Sequence, residues 1–181
     1  MDSLISLWEI AAKLKTELRK GWIKNLRLQR TESVADHSFA LSLICLFEGQ
    51  RRGYDTDKML KLAVLHDLEE AVTGDLAPED KNTKGEAVVG QEKISAREQL
   101  LSLVPRENQQ RYRELWSELD ADKTKEARLV HELDKLEMAL QARAYSKNGI
   151  EARKLGEFYN SAKNAIRDPY LRLLLNEISS G

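Results

Sequence analysis

The chain has only three histidines, and two of them stand with acids inside its most apolar stretches. His37 is followed by Ala40, Leu41 and Ile44 at i+3, i+4 and i+7, which puts it on the inward stripe of a helix. His66-Asp67 interrupts the run Leu62-Ala63-Val64-Leu65, with Leu62 one turn before and Glu70 one turn after on the face of His66. Asp134 lies in the row Val130-Asp134-Met138, beside Leu133. Four groups able to bind a metal thus point from three helices toward apolar surroundings. A buried carboxylate without a partner is costly, so it takes up a proton or finds a cation. Two nitrogens and two oxygens suit Mn²⁺, Co²⁺, Zn²⁺ or Fe²⁺ better than Ca²⁺, which prefers oxygen throughout. His66 and Asp67 differ by about 100° around a helix, so one ion between them is within reach of both. A histidine on an apolar face is also commonly a hydrogen-bonded core residue, and spacing alone leaves both readings open.

The elements that must position these groups are helices. Strand signals are almost absent, with no alternating β-branched runs and no Asn-Gly turns. Leu4, Leu7, Trp8, Ala11, Leu14 and Leu18 trace one apolar stripe, and Gly21 is a plausible stop. A second helix begins near Ser33, whose hydroxyl can cap the Asp36 amide, and runs to about Gly53. A third starts after Asp55 or Thr56 and ends near Gly74, and residues 75–85, with Pro78, Asn82 and Gly85, form a loop. Further helices are predicted at about 86–103, 106–119, 123–147 and 149–165, with a last one after Pro169. No repeat or linker divides the chain, so residues 1–181 are read as a single all-α domain.

Composition bounds the function. At 181 residues, a chain can bury roughly 70% of its unfolded surface, enough for a core without staples. Lys plus Arg number 29 and Asp plus Glu 30, so nothing suggests a whole-surface binder of nucleic acid polymers or membranes. Cys45 lies in an apolar run, where a buried thiol acting as a small hydrophobe is favoured. No apolar stretch approaches the ~20 residues that span a bilayer. Met1-Asp2-Ser3 lacks the basic start of a signal peptide. A soluble, cytoplasmic protein is expected.

The text around the metal-binding candidates carries more. Glu32-Ser33-Val34-Ala35-Asp36-His37-Ser38, then Leu65-His66-Asp67-Leu68-Glu69-Glu70-Ala71-Val72-Thr73-Gly74-Asp75, then Glu132-Leu133-Asp134-Lys135-Leu136-Glu137-Met138 resemble the HD-domain metal-dependent phosphohydrolases. The resemblance is nearest to the 5′-deoxynucleotidase branch, and it covers roughly residues 1–145, leaving 149–181 as C-terminal helices without an assigned motif. It implies an HD-domain helical bundle and a homodimer, and a small-molecule substrate, a (deoxy)ribonucleoside 5′-monophosphate. It also implies one divalent ion, Mn²⁺- or Co²⁺-like with Mg²⁺ or Zn²⁺ possible, on His37, His66, Asp67 and Asp134. Such an ion lowers the pKa of a bound water from ~15.7 toward ~7 and polarises a phosphoryl group. Glu70 would orient or deprotonate the attacking water, and by resemblance Asp75 would protonate the leaving 5′-oxygen.

Substrate contacts follow from the same comparison. Arg19 and Trp22 lie where the family places an Arg and a Trp near phosphate and sugar, with Lys24, Arg27 and Arg30 as rival cations. Trp22 either packs against deoxyribose or is a core residue. The segment Asp75-Leu76-Ala77-Pro78 is a further substrate contact by resemblance. Glu69 is expected in solvent, and His131 as a partly exposed structural residue. A rival branch hydrolysing guanosine tetraphosphate carries a Glu-Asp pair in this stretch, and here Ala71 stands in place of the second acid. A non-catalytic helical binding module would be expected to have a broken ligand set, and none of the four positions is broken.

Overall fold

Capping determines where the first donor-bearing helix begins. In the computed structural model, which describes residues 3–26, 28 and 31–180, helix α3 (Val34–Arg52) starts at an extended Ser33. The Ser33 hydroxyl accepts from the Asp36 amide, and the Asp36 carboxylate accepts from the Ser33 amide, a reciprocal pair. Gly53 ends the helix with φ 65°, a left-handed conformation that glycine adopts without the Cβ clash.

Helix α3 packs against α4 (Thr56–Leu65) and α9 (Lys125–Lys147), and these three carry all four candidate ligands or border them. Between them Leu41, Met59, Leu62, Val130 and Leu133 are fully buried, as is Cys45. Helix α8 (Arg106–Asp120) covers α4, while α10 (Gly156–Ala165) and α11 (Pro169–Ser180) lie on α9. Ile166 and Leu171 extend the same apolar cluster into the C-terminal helices, which thereby complete the bundle. The Arg52 guanidinium clamps the Asp168 carboxylate at 2.6 and 3.0 Å, tying the end of α3 to the start of α11. Among the described residues there is no β-strand, only one isolated bridge between Leu18 and Ser33. Among the described residues no helix is long and apolar enough to cross a membrane.

Several boundaries differ from expectation, most of them because segments distant in sequence meet. Helix α1 (Ser3–Leu14) stops before Leu18 because residues 17–19 run extended beside 32–34: the Val34 amide donates to Glu17 O and the Arg19 amide to Glu32 O. Gly21 therefore lies inside a second short helix, α2 (Lys20–Leu26), rather than ending the first. The predicted stripe is mostly not a core stripe: of its members only Leu14 is buried and Leu18 half-buried, while Leu4, Leu7, Trp8 and Ala11 are exposed, and the second buried residue of α1 is Ile10, outside that stripe. This helix lies at the rim of the bundle, against α3 and the short helix α5 (Glu70–Thr73), so a single narrow edge is covered.

The predicted third helix breaks at the chemistry-bearing dipeptide. α4 ends at Leu65, residues 66–69 form tight turns, and α5 spans Glu70–Thr73. Side chains replace the missing helical hydrogen bonds: His66 Nδ1 donates to Ala63 O at 2.7 Å and Trp116 Nε1 to Leu65 O at 3.0 Å. The expected loop at 75–85 contains α6 (Pro78–Lys84), opened by a proline whose missing N–H is harmless at that position. It is followed by α7 (Glu86–Leu101), and a 3₁₀ turn at Ala152–Lys154 precedes α10.

Candidate metal centre and substrate cavity

His37 has no solvent exposure and meets its neighbours through both ring nitrogens. Its Nδ1 donates to the buried Glu137 carboxylate at 2.5 Å. That leaves Nε2, which lies 3.1 Å from His66 Nε2, 3.1 Å from Asp134 Oδ1 and 4.0 Å from Asp67 Oδ2. His66 likewise commits Nδ1 to a backbone carbonyl, and its Nε2 is 3.0 Å from Asp67 Oδ2. Ligand atoms of His37, His66 and Asp134 all fall within 4.8 Å of one another, and Asp67 borders them. The tight turns at 66–69 allow the adjacent His66 and Asp67 both to face this point.

This donor set fits a divalent transition ion. Both imidazoles are held by their Nδ1 hydrogen bonds in the tautomer that turns the Nε2 lone pair to the centre. Atoms bound ~2.1 Å from one ion stand ~3.0 Å apart at right angles and ~4.2 Å apart on opposite sides. The His37–His66, His37–Asp134 and His66–Asp67 pairs, at 3.0–3.1 Å, match the first spacing, and His37–Asp67, at 4.0 Å, is near the second. Without an ion the charges settle locally. Burial and Arg19 oppose the charged imidazole of His37, yet Asp134 and Glu137 outweigh them and push it up to about 10. Burial likewise works against the ionised carboxylate of Asp134, but Lys135 and His37 hold it well below the usual range.

The centre opens into a cavity of ≈310 Å³. Arg19, Trp22, Asp67, Glu70, Asp75, Leu76, Ala77, Pro78 and Asp134 all line it. Arg19 crosses its floor, Nη1 donating to Asp67 Oδ2 at 2.8 Å. Among the rival cations, Lys24 pairs with Asp80 on the surface away from the cavity, and Arg27 and Arg30 lie outside the described residues. The Glu70 carboxyl faces the cavity with Oε2 buried and unpartnered. Burial, with Asp67 and Asp75 nearby, pushes it up to about 9, so it is protonated at neutral pH in the metal-free protein. One Asp75 oxygen accepts from the Lys20 amide at 2.5 Å, which seats the carboxylate on the N-terminus of α2.

Trp22 combines the two readings considered for it. It is 2% exposed, stacked on Phe158 at 3.9 Å with its indole N–H on Glu32 at 2.7 Å, and its remaining edge lines the cavity. Glu69, expected in solvent, is buried, with one oxygen on Arg97 at 3.2 Å and Lys93 at 3.1 Å. The helix break at 66–69 rotates it away from the face that a continuous helix would give it. His131 is half-exposed on Asp122 at 2.6 Å, as expected of a structural histidine. Burial, with Asp134 nearby, pushes the Cys45 thiol up to about 12, leaving it inert.

Several participants were not singled out by sequence reasoning. Glu137 sits three residues after Asp134 on one helix face, a spacing that could have revealed it. Lys135 and Lys81 add cations to the cavity wall, and Met138 and Phe158 add apolar surface. Phe158 carried no signal, because only the docking of α10 on α9 brings it under Trp22.

Comparison with known proteins agrees with this geometry. The profile described as HD domain matches residues 11–173. A 5′-deoxynucleotidase HDDC2 of Xenopus laevis is 32% identical over 97% of this chain and 86% of its own length. The 5′-deoxynucleotidase HDDC2 of Dictyostelium discoideum is 34% identical over 99% of this chain and 98% of its own. A conserved hypothetical protein from Pyrococcus furiosus superposes with a TM-score of 0.77 at 32% identity, covering 98% of this chain and 99% of that one.

Two outcomes follow. Glu137→Ala removes the acceptor that orients His37, and Mn²⁺ affinity measured by calorimetry should fall ~10–100-fold. Glu137→Gln, whose amide oxygen can still accept, should recover most of it; equal affinity in all three proteins would reject the orienting role.

In chelated protein, stability should fall as pH climbs from about 6.5 to 9. Glu70 titrates at 4.5 unfolded and about 9 folded, so the folded state binds more protons across that window and loses ground as pH rises. The His37 contribution, present below 6.5 and lost toward about 10, has the same sign. Glu70→Gln should flatten the slope of thermal midpoint against pH, and an identical slope would refute the assignment.

Proposed function

The chain belongs to the HD domain family, and on that footing we propose that it hydrolyses (deoxy)ribonucleoside 5′-monophosphates to nucleoside and inorganic phosphate. The single observation that carries this reading is the convergence of His37 Nε2, His66 Nε2, Asp134 and Asp67 at one point on a cavity wall that also holds Arg19. We assign His37, His66, Asp67 and Asp134 as the ligands of one divalent ion, Mn²⁺ or Co²⁺ by preference. When bound, the ion supplies a positive charge that polarises the phosphoryl group and acidifies water.

The remaining steps belong to side chains. Arg19 offers a planar fork to phosphate oxygens; its present partner Asp67 is a proposed ligand, so metal binding frees the guanidinium for substrate. Glu70 lines the cavity, carries a buried carboxyl oxygen without a partner, and would position the attacking water and take its proton. Asp75, held by the Lys20 amide, would deliver a proton to the departing 5′-oxygen. Trp22, Leu76, Ala77 and Pro78 form the wall that would face sugar and base, and the rigid stacking of Trp22 on Phe158 suits it to crowd a 2′-hydroxyl. Guanosine tetraphosphate is disfavoured as substrate: Ala71 is buried in the core, with no acid beside Glu70 in its place.

We also propose a homodimer, as the resemblance implies. Its support in the fold is an uncovered apolar row on α3, with Phe39 72%, Leu43 47% and Phe47 63% exposed. The cytoplasm is the compartment that fits a nucleotide-cleaving enzyme with one buried free thiol.

Purified protein should release phosphate from a deoxyribonucleoside 5′-monophosphate when given Mn²⁺ or Co²⁺ and stop on chelation. His66→Ala and Asp67→Ala should lower kcat by at least ~10³-fold with helical content intact. Turnover of guanosine tetraphosphate alone, or full activity of these variants in chelator, would reject the proposal. Light scattering should give twice the 20.7 kDa of the chain, and Phe39→Glu with Phe47→Glu should return it to one; a monomeric wild type would remove the dimer.

A further inference from the structure

The donor set is a partition with an opening on either side. Asp67, Asp134 and Lys135 line the ≈310 Å³ cavity described above, and the same three residues line a second cleft of ≈580 Å³. The two spaces differ in chemistry. The first offers Trp22, Leu76, Pro78, Met138 and Phe158 to an organic ligand. The second has Ala165 as its one apolar residue among the described lining and is otherwise charged or imidazole.

Its charge favours anions. Lys93, Arg128, Lys135 and Arg167 reach the second cleft, together with His131. Lys93 is itself paired with Glu69 and Asp120, and Lys135 with Asp134. Of the four carboxylates on the lining, two are held in place by hydrogen bonds but keep their charge. Glu132 accepts the backbone amides of Arg167 and Asp168 at 3.0 and 2.8 Å, and Asp122 accepts from His131. Arg128 contacts only a carbonyl, Asp122 O at 2.8 Å, so its positive charge is not cancelled by that bond. Asp67 and Asp134, the remaining acids on the wall, belong to the proposed ligand set and would face the ion. With Asp67 and Asp134 turned to the ion and Lys93 paired, Arg128, Lys135 and Arg167 outnumber Asp122 and Glu132, so the cleft carries a small positive excess, and its described lining offers no surface on which a base or sugar could stack.

We propose that this second cleft binds inorganic phosphate and is the route by which released phosphate leaves, while the nucleoside still fills the first cavity. The inference rests on the hydrolytic reading above. Water adds its oxygen to phosphorus, the bond to the 5′-oxygen breaks, and the proton passes to that oxygen. The phosphate so formed lies at the partition, with the nucleoside on one side and the basic cleft on the other. Leaving through the first cavity requires the nucleoside to go first. Leaving through the second does not, so phosphate and nucleoside depart in either order and phosphate binds whether or not nucleoside is present.

Arg128 and Arg167 are exposed and have no part in the proposed ligand or catalytic set, which makes them the probes. Mn²⁺-loaded wild type and Arg128→Glu/Arg167→Glu are titrated with inorganic phosphate by calorimetry, with and without deoxynucleoside. Phosphate and nucleoside are also used separately as product inhibitors. The work is done at ~0.15 M salt, where charges more than ~8 Å apart are screened. The expected result is a rise of about tenfold in both the phosphate dissociation and inhibition constants, with KM and nucleoside inhibition within about twofold of wild type. The Arg128→Gln/Arg167→Gln protein, carrying less charge change, should fall between, and it decides the matter should the first variant not fold. Unchanged phosphate constants overturn the proposal, as does a rise in KM in the same proportion, or loss of phosphate binding when nucleoside is present. Failure of wild type to hydrolyse any nucleoside monophosphate would reject the function instead, and the phosphate titration would still decide the cleft.

Discussion

The hydrogen bond between His37 and Glu137 is the constraint on which the site depends. Both side chains are buried, and at 2.5 Å each satisfies what the other cannot obtain from water. Break it and an imidazole and a carboxylate are stranded in an apolar bundle, a situation that costs more than the bond itself contributes. Keep it and His37 Nε2 has one direction available, toward His66 and Asp134. The reciprocal cap at Ser33 and the packing of α3 on α9 set the depth and rotation of that ring. The candidate metal centre is thus a consequence of how two helices are held.

Around that point the protein concentrates charge that a dry interior would not tolerate unpaired. Asp67 has Arg19, Asp134 has Lys135, and Glu32 has the Trp22 indole and lies near Arg19. Burial raises Glu32, with Glu137 adding to the effect, and the indole bond, His37 and Arg19 hold it to about 7. These partners keep the fold intact before any ion arrives. If Asp67 and Asp134 hold the proposed cation, it would compete with Arg19 and Lys135 for them and free two positive groups.

The C-terminal helices, which carry no recognisable motif, help to shape the cavity beside the candidate centre. α10 brings Phe158 beneath Trp22, and Tyr145 from the end of α9 meets the other face of the indole edge-on at 5.1 Å while its hydroxyl accepts from the Glu32 amide. A tryptophan packed by two aromatic rings is a rigid part of the cavity wall. Equally, α7 and α8 have a role without a motif: Trp116 takes the Leu65 carbonyl and Arg97 takes Glu69, which together stabilise the break between α4 and α5.

From the chain of residues alone, the helical class, the limits of α3, α8 and α9, and the inward placement of His37, His66 and Asp134 could be read. Each rests on a 3.6-residue period, a cap or an interruption of an apolar run, and such signals are local. The family motifs supplied the identity of Asp67, Glu70 and Asp75 as cavity residues. What could not be read was whatever depended on contact between segments distant in sequence. Leu18 leaves its helix because Ser33 offers a backbone partner, α4 stops at Leu65 because Trp116 and His66 satisfy its last carbonyls, and Glu69 is buried because Arg97 meets it. Glu137 was visible as a letter but not as a partner, and the exposure of Leu4, Leu7 and Trp8 reversed the meaning of a well-formed stripe. An amphipathic pattern states that a face is apolar; only the packed bundle decides whether anything covers it.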